Sequence, residues 1–438
     1  MRRIPFLFAI LWWSFPGFPL FAQPQPAVKN IMLDDDASEY APCEPSIAIS
    51  FSNPDIIVAG AVLNKVYYTS NGGKTWEKQK ITSSYGVFGD PVVISGYDGS
   101  FYYFHLADPE HKRWASERLL DRIVCQKSTD GGKTWSDGGY MGMNHPKDQD
   151  KEWAVVNPLN NHIITTWTQF DKYDSQNPDD HSNILFSQSK NSGKSWKKAV
   201  QINQYSGDCL DGSETAEGAF PAVGPQGEIY VAWSLNEKIW FDRSFDKGKT
   251  WLEEDIIAAE QPGGWSFDIP GITRSNGMPV LLCDLSDGPA RGTLYLNWSD
   301  QRNGKTDTDI WFAKSSDKGN TWSAPKRVND DGWGKHQFLS WMTIDQTTGY
   351  IYVVFYDRRN YKDLQTDVYL AYSTDGGESF INQRISETPF TPSALAFFGD
   401  YNNIAAHGGR ICPIWTRMDN GKTSVWTAVI EEGELIEK

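Results

Sequence analysis

Ser128-Thr129-Asp130-Gly131-Gly132-Lys133-Thr134-Trp135 is the clearest of six copies of one short motif. The other five end at Trp76, Trp196, Trp251, Trp322 and Phe380, so the period is about 55 to 70 residues. Each copy follows a short run of alternating apolar residues, such as Val368-Tyr369-Leu370-Ala371-Tyr372 before Ser373. A strand, a tight turn and a large aromatic, repeated at this spacing, predict an array of small antiparallel sheets.

The residue types follow from turn chemistry. The Asp or Asn (Asn71, Asp130, Asn191, Asp246, Asp317, Asp375) accepts hydrogen bonds from N–H groups of its own loop. The Gly two positions later supplies positive φ without steric cost. The aromatic opens the outgoing strand and packs between sheets. The motif resembles the Asp-box, or BNR, repeat of the sialidase superfamily. That resemblance implies a β-propeller, which hosts many activities.

A second signal counts the blades. Apolar strands recur at 56–61, 101–106, 162–168, 229–234, 294–299, 351–356 and 411–416, which makes seven. The seventh is followed by one further strand, 424–430, with no box and no fourth strand. An open edge invites pairing, and residues 28–33 have the character to supply the missing strand. The expected fold is therefore all-β: a single seven-bladed propeller of four-stranded antiparallel blades, closed by an N-terminal strand. Six blades, as in the sialidases, is the runner-up.

The chain has 438 residues, 14% of them aromatic, with 19 Trp and a net charge of −15. Such an acidic protein is a poor general binder of nucleic acid. Arg2 and Arg3, the apolar stretch to Phe21 and Ala22 read as a signal peptide over residues 1–22. That leaves a propeller domain over 28–430, an acidic tail over 431–438, no membrane span in the mature chain, and a secreted, periplasmic or extracellular location. Five cysteines show no zinc spacing and leave at least one free thiol.

Propeller topology places the starts of the innermost strands and the loops after the second strands on one face. Acids recur at those starts: Glu44, Asp90, Asp150, Glu217 and Asp400. Carboxylates so clustered share protons for acid–base work, bind a hard cation such as calcium, or cap turns. No other metal and no cofactor is expected. The second-strand loops carry Arg302, Arg358 and Arg417, whose forks suit a carboxylate or sulfate on a sugar, or pair with a neighbouring Asp. Trp265 and Trp333, with Trp114 and His336, are loop residues suited to sugar stacking.

The sialidase resemblance implies three arginines on the substrate carboxylate and a Tyr nucleophile activated by Glu. Arg302, Arg358 and Arg417 are candidates for the triad, and Tyr356 with Glu217 for the nucleophile pair. The family's Arg-Ile-Pro motif occurs here only as Arg3-Ile4-Pro5, inside the signal sequence. The expected function is a secreted carbohydrate-active protein with a glycan partner. A sialidase-like glycoside hydrolase on a complex or acidic glycan would use Asp90, Asp150 and Glu217 as its carboxylates. A non-catalytic glycan- or protein-binding propeller and a propeller-type polysaccharide lyase are the alternatives.

Overall fold

The turn forms as its residue types dictate. Ser128 Oγ donates to Asp130 Oδ1 (2.8 Å) and accepts from the Gly132 N–H (2.9 Å). Asp130 Oδ1 accepts from the N–H groups of Lys133 (3.1 Å) and Thr134 (2.9 Å), and Oδ2 takes the Thr134 hydroxyl (2.6 Å). Asp246, Asp317 and Asp375 each bond the Thr or Ser four residues on in the same way.

The second glycine has a further reason to be glycine. A Cβ at Gly319 would lie 2.3 Å from the Phe241 ring, at Gly377 2.3 Å from Phe312, and at Gly248 2.4 Å from Phe186. Each of those rings belongs to the preceding blade. The box aromatic then meets the same ring edge-on: Trp251 on Phe186 (5.0 Å), Trp322 on Phe241 (5.4 Å), Phe380 on Phe312 (5.3 Å). Edge-to-face packing at these distances is favourable, so the repeat that closes each hairpin also glues neighbouring blades.

A computed structural model describes residues 28–36 and 42–435. It shows seven four-stranded antiparallel blades and one small hairpin, Ser266–Phe267 with Ser275–Asn276, ahead of blade five. The innermost strands, in ring order, are Ser46–Ile49, Val92–Ser95, Asp148–Val156, Glu217–Val223, Val280–Cys283, Gln337–Asp345 and Asn403–His407. They line an axial channel. Trp153, Phe220, Trp341 and Tyr401 plug it midway, with Trp153 and Trp341 4.3 Å apart and Trp153 and Tyr401 5.2 Å apart. Below the plug, toward the face that carries the repeated turns, is an apolar cavity of about 210 Å³.

Ring closure follows the expected route. Ile31–Asp34 pairs antiparallel with Lys422–Thr427, Ile31 opposite Thr427 and Met32 opposite Trp426. It is the outer strand of blade seven, whose order runs inward through Lys422–Thr427 and Arg410–Asp419 to Asn403–His407. Buried Asp34 ties that blade to the first: it accepts from Tyr67 Oη (2.9 Å) and pairs with Lys78 (2.8 Å) and Lys65 (3.4 Å). Burial opposes the charge, but the Lys78 and Tyr67 hydrogen bonds lower the Asp34 pKa.

The acidic tail is more than a solvated end. Ile430–Glu431 pairs with Arg410 and Ile411, Glu431 binds Arg410 (2.9 Å), and a turn at Glu432–Glu434 follows. All five cysteines are buried free thiols. The expected signal sequence, with Arg3-Ile4-Pro5, lies outside the described residues. Among the described residues no helix is long and apolar enough to cross a membrane.

Two changes test the closure. Deletion through Leu33 removes most of the outer strand and is expected to give insoluble or strongly destabilised protein, whereas deletion through Pro26 leaves the melting temperature unchanged. Asp34→Ala is expected to cost about 1–3 kcal/mol in denaturant unfolding, because it leaves the buried Tyr67 hydroxyl without its acceptor while Lys65 keeps Asp36. Equal melting temperatures for the two truncations contradict closure by this strand.

Candidate active site

The innermost strands share a backbone kink where they leave the loop-bearing face. Glu44 (φ 52°), Asp90 (φ 49°), Lys151 (φ 51°), Gly218 (φ 70°), Leu339 (φ 49°) and Gly399 (φ 99°) are left-handed at this level in six of the seven blades. Three of these kinks fall in register shifts, between Asp150 and Trp153, Glu217 and Phe220, and Phe338 and Trp341. Left-handed non-glycine residues cost about 1–3 kcal/mol each and persist only where surroundings enforce them. Bulges re-aim side chains, and here they gather the strand-start acids at the channel mouth.

Lys151 is the hub. Its Nζ lies 2.8 Å from Asp90 Oδ2 and 2.9 Å from Asp400 Oδ2. Arg274, from the inserted hairpin, clasps Asp400 through Nε (2.7 Å to Oδ1) and a second short contact, and also binds Asp211. Asp211 accepts further from Tyr173 Oη (2.8 Å) and Trp265 Nε1 (3.2 Å). The Asp400 N–H donates to Glu44 Oε1 (3.0 Å), and Asn276 holds the Asp400 carbonyl (2.8 Å).

The carboxyls divide into two electrostatic classes. Burial opposes ionisation of Asp400, but Lys151 and Arg274 win and hold it well below the usual carboxylate range. Burial pushes Asp150 up to about 7; Lys151 opposes this, and Asp90 and Asp211 add to it. Burial, then Asp211 and Asp150, raise Glu217 well above its ordinary value. Burial and Asp90 do the same to Glu44. Glu217 is completely buried, and the Asp211 carboxyl beside it helps keep it protonated. Asp150 Oδ1 accepts from the Lys151 N–H (2.8 Å), and its other oxygen makes no hydrogen bond among the described residues.

The three carboxylates expected from sequence, Asp90, Asp150 and Glu217, thus come together at the mouth. The other candidates do not join them. Tyr356 is fully buried; its hydroxyl donates to the Thr416 carbonyl (2.8 Å) and accepts the Thr416 N–H (3.0 Å), so it joins blades six and seven. Burial also raises its pKa, opposite to what a nucleophile needs. Arg302 is clamped by Asp300 and lies 4.2 Å over Trp311. Arg358 is buried against Thr366 and the Pro270 carbonyl, and Arg417 is held by Asp419 and Thr388. The arginines are therefore three separate structural pairings rather than a triad.

Trp265 is only 1% exposed and packs on Gly218, where a Cβ would meet its ring at 2.6 Å. It positions Asp211 instead of offering a face to sugar. Trp333 is 73% exposed on the loop before blade six, under the Arg327 guanidinium at 5.1 Å. His336 bonds Thr308, and burial lowers its pKa to about 4.

Residues not singled out from sequence complete the mouth: Lys151, Asp211, Arg274 and Tyr173. Trp114, 71% exposed, lies 6.1 Å from Tyr173 and edge-on to Phe88 at 5.7 Å. Burial, Asp150 and Asp211 all raise the Tyr173 pKa. Among the described residues no group of three or more His, Cys, Asp or Glu side chains is arranged to hold a metal ion. Lys151 and Arg274 occupy the carboxylates a cation would need.

No family model matches the chain, and no curated protein does either. Solved structures are similar in fold. One is an ulvan lyase of polysaccharide lyase family PL25, at 11% identity and TM-score 0.55, over 92% of this chain and 96% of that one. The same enzyme bound to -[GlcA(1-4)Rha3S]- gives a TM-score of 0.54 at 11% identity and the same coverage. The NanB sialidase from Streptococcus pneumoniae, in complex with 2-[(3-chlorobenzyl)ammonio]ethanesulfonate, gives 0.50 at 11% identity, over 79% of this chain and 68% of that one. At such identities the likeness is one of architecture.

The Asp150 proton has a measurable consequence. A carboxyl whose pKa is raised by folding contributes stability below its unfolded value of about 4, and that contribution is lost as pH rises through about 7. Asp150→Asn keeps the oxygen that accepts from Lys151 and cannot ionise. Its melting temperature relative to wild type is therefore expected to climb between about pH 4 and 7 and level off above. A difference that does not change with pH contradicts the assignment.

Proposed function

We propose that this protein is a carbohydrate-active enzyme working at the acidic channel mouth, with glycoside hydrolysis as its reaction. The observation that carries the reading is the pairing of a proton-holding Asp150 with ion-paired Asp90 across Lys151. Acid-catalysed glycosidic cleavage needs one carboxyl still protonated near neutral pH and a second that is charged. Asp150 is the proton donor to the leaving oxygen. Asp90, ion-paired with Lys151, supplies negative charge to the developing cation or to an attacking water.

The supporting groups have defined tasks. Lys151 and Arg274 fix the charged carboxylates without neutralising Asp150. Glu217, fully buried beside Asp211, holds its own proton and so adds no negative charge to the mouth. Tyr173, hydrogen-bonded to Asp211, fixes one wall, and exposed Trp114 above it suits the apolar face of a sugar ring. The likeness to a lyase and a sialidase supports a propeller able to present a glycan site; the chemistry is read from these side chains.

Purified protein screened on a panel of glycans is expected to release reducing ends. Asp150→Asn is expected to lower kcat about 10²–10⁴-fold. Activity should fall as pH rises through about 7, where Asp150 loses its proton. An absorbance rise from an unsaturated product instead assigns a lyase, and saturable binding without product assigns a binding module.

A further inference from the structure

The rim of blade three carries a charge pattern opposite to that of the whole chain. In a protein of net charge −15, residues 181–207 contain four lysines and no Asp or Glu. The other turn copies show that the fold does not require them. Blade five has Ser316, Ser323 and Ala324 where blade three has Lys190, Lys197 and Lys198. Asn191 stands in the place of the turn carboxylate. Its Oδ1 accepts from the Ser195 N–H (3.0 Å) and its amide donates to the Ser195 hydroxyl (2.8 Å), so this turn closes without a negative charge.

Blade four adds two more cations. The Gln188 amide donates to the Lys247 carbonyl (2.7 Å), which sets the blade-four turn, with Lys247 and Lys249, against the third strand of blade three. Lys190, Lys194, Lys197, Lys198, Lys247 and Lys249 are all exposed, and none has an ion pair among the described residues. By contrast Lys318, the blade-five counterpart of Lys247, pairs with Glu228 at 2.9 Å. The acids of blade four do not neutralise the group. Asp246 is held by Thr250 of its own turn, Asp255 accepts from the Gln204 N–H, and exposed Glu253 and Glu254 pair with none of the six. Partial desolvation, then Lys190 and Lys249, lower the Lys197 pKa; burial, then Lys190, Lys197 and Lys247, lower that of His162.

Beside the lysines a cleft of about 520 Å³ runs between the outer edges of blades two and three. Lys197 and Lys198 line it with Tyr140, Met143 and Trp196, whose apolar faces suit sugar rings. The neighbouring charges, Arg122 with Asp121 and Lys147 with Asp171, cancel in pairs.

We infer that this rim is a second binding surface, separate from the mouth, for an anionic polysaccharide chain bearing uronate or sulfate groups. Unpaired ammoniums spread over two turns match a repeated charge rather than a single anion. The choice of polysaccharide among polyanions rests on the carbohydrate reading above. Three strand spacings of about 4.8 Å put the outer strand about 14 Å from the innermost, beyond the Debye length of about 8 Å at physiological salt, so the mouth acids leave the patch positive.

The test is titration calorimetry with heparin, polygalacturonate and neutral dextran as probes. Wild type is compared with two triple variants. One carries Lys190→Ser, Lys197→Ser and Lys198→Ala, the residues blade five already accommodates. The other has the same net charge and carries Lys305→Ser, Lys362→Ser and Lys422→Ser, three exposed lysines elsewhere. Wild type is expected to bind heparin or polygalacturonate and not dextran. The rim variant is expected to bind at least ~10-fold more weakly, with the slope of log K against log salt reduced by about 2, while the control variant binds as wild type does. Equal losses in the two variants, or no binding of either anionic chain by wild type, overturn the inference. Tighter binding of single-stranded DNA or of anionic phospholipid vesicles also overturns it and assigns a different partner. Glycan turnover by wild type and Asp150→Asn is read separately, so either reading can fail while the other stands.

Discussion

Everything at the mouth depends on the pairing of Ile31–Asp34 with Lys422–Thr427. Seven blades close only when the two ends of the chain share one sheet. That closure makes Glu44 and Asp400, 356 residues apart, hydrogen-bonded neighbours. It also lets Lys151 of blade three, already paired with Asp90 of the neighbouring blade two, reach Asp400 of blade seven. A ring left open would carry Asp400 away and leave Lys151, buried among the acids, without one of its two counter-charges. The cost of gathering so many carboxyls is met by ring-wide packing rather than by any local motif.

The same closure divides the axis into two chemistries. Trp153, Phe220, Trp341 and Tyr401 seal the channel between the charged mouth and the apolar cavity beneath. Sealing one end keeps bulk water from entering the mouth through the channel and lowers the effective dielectric around Asp150 and Glu217. That is why burial dominates their upward shifts, while the two cations keep Asp400 ionised in the same few ångströms. Adjacent carboxyls are thus driven apart in proton affinity, the arrangement that acid–base chemistry at neutral pH requires.

The blade count, the closing strand and the crescent of strand-start acids were legible in the sequence because each is periodic. Repetition exposes the turn motif at six places and a carboxylate at five strand starts. The second box glycine was read for its positive φ; its contact with the previous blade's ring emerges only in three dimensions. The partners of the acids were not legible. Lys151 and Tyr173 sit in plain view beside Asp150 and Asp171, but nothing local distinguishes them from solvated residues. Asp211 and Arg274 lie in aperiodic loops and are recruited across the ring. The candidates Tyr356, Trp265 and the three arginines carry the right functional groups, yet their neighbours in the fold engage them in packing and pairing. A residue type names a capability; register decides whether it faces the axis.

The most direct measurement is a crystal structure of the Asp150→Asn variant soaked with a bound oligosaccharide. The account predicts sugar density at the loop-bearing mouth, one ring over Trp114 and the scissile oxygen next to residue 150 and Asp90, with Lys151 and Arg274 still holding Asp90, Asp211 and Asp400. Sugar seated on the opposite face or along a blade rim, with the mouth unoccupied, would contradict it.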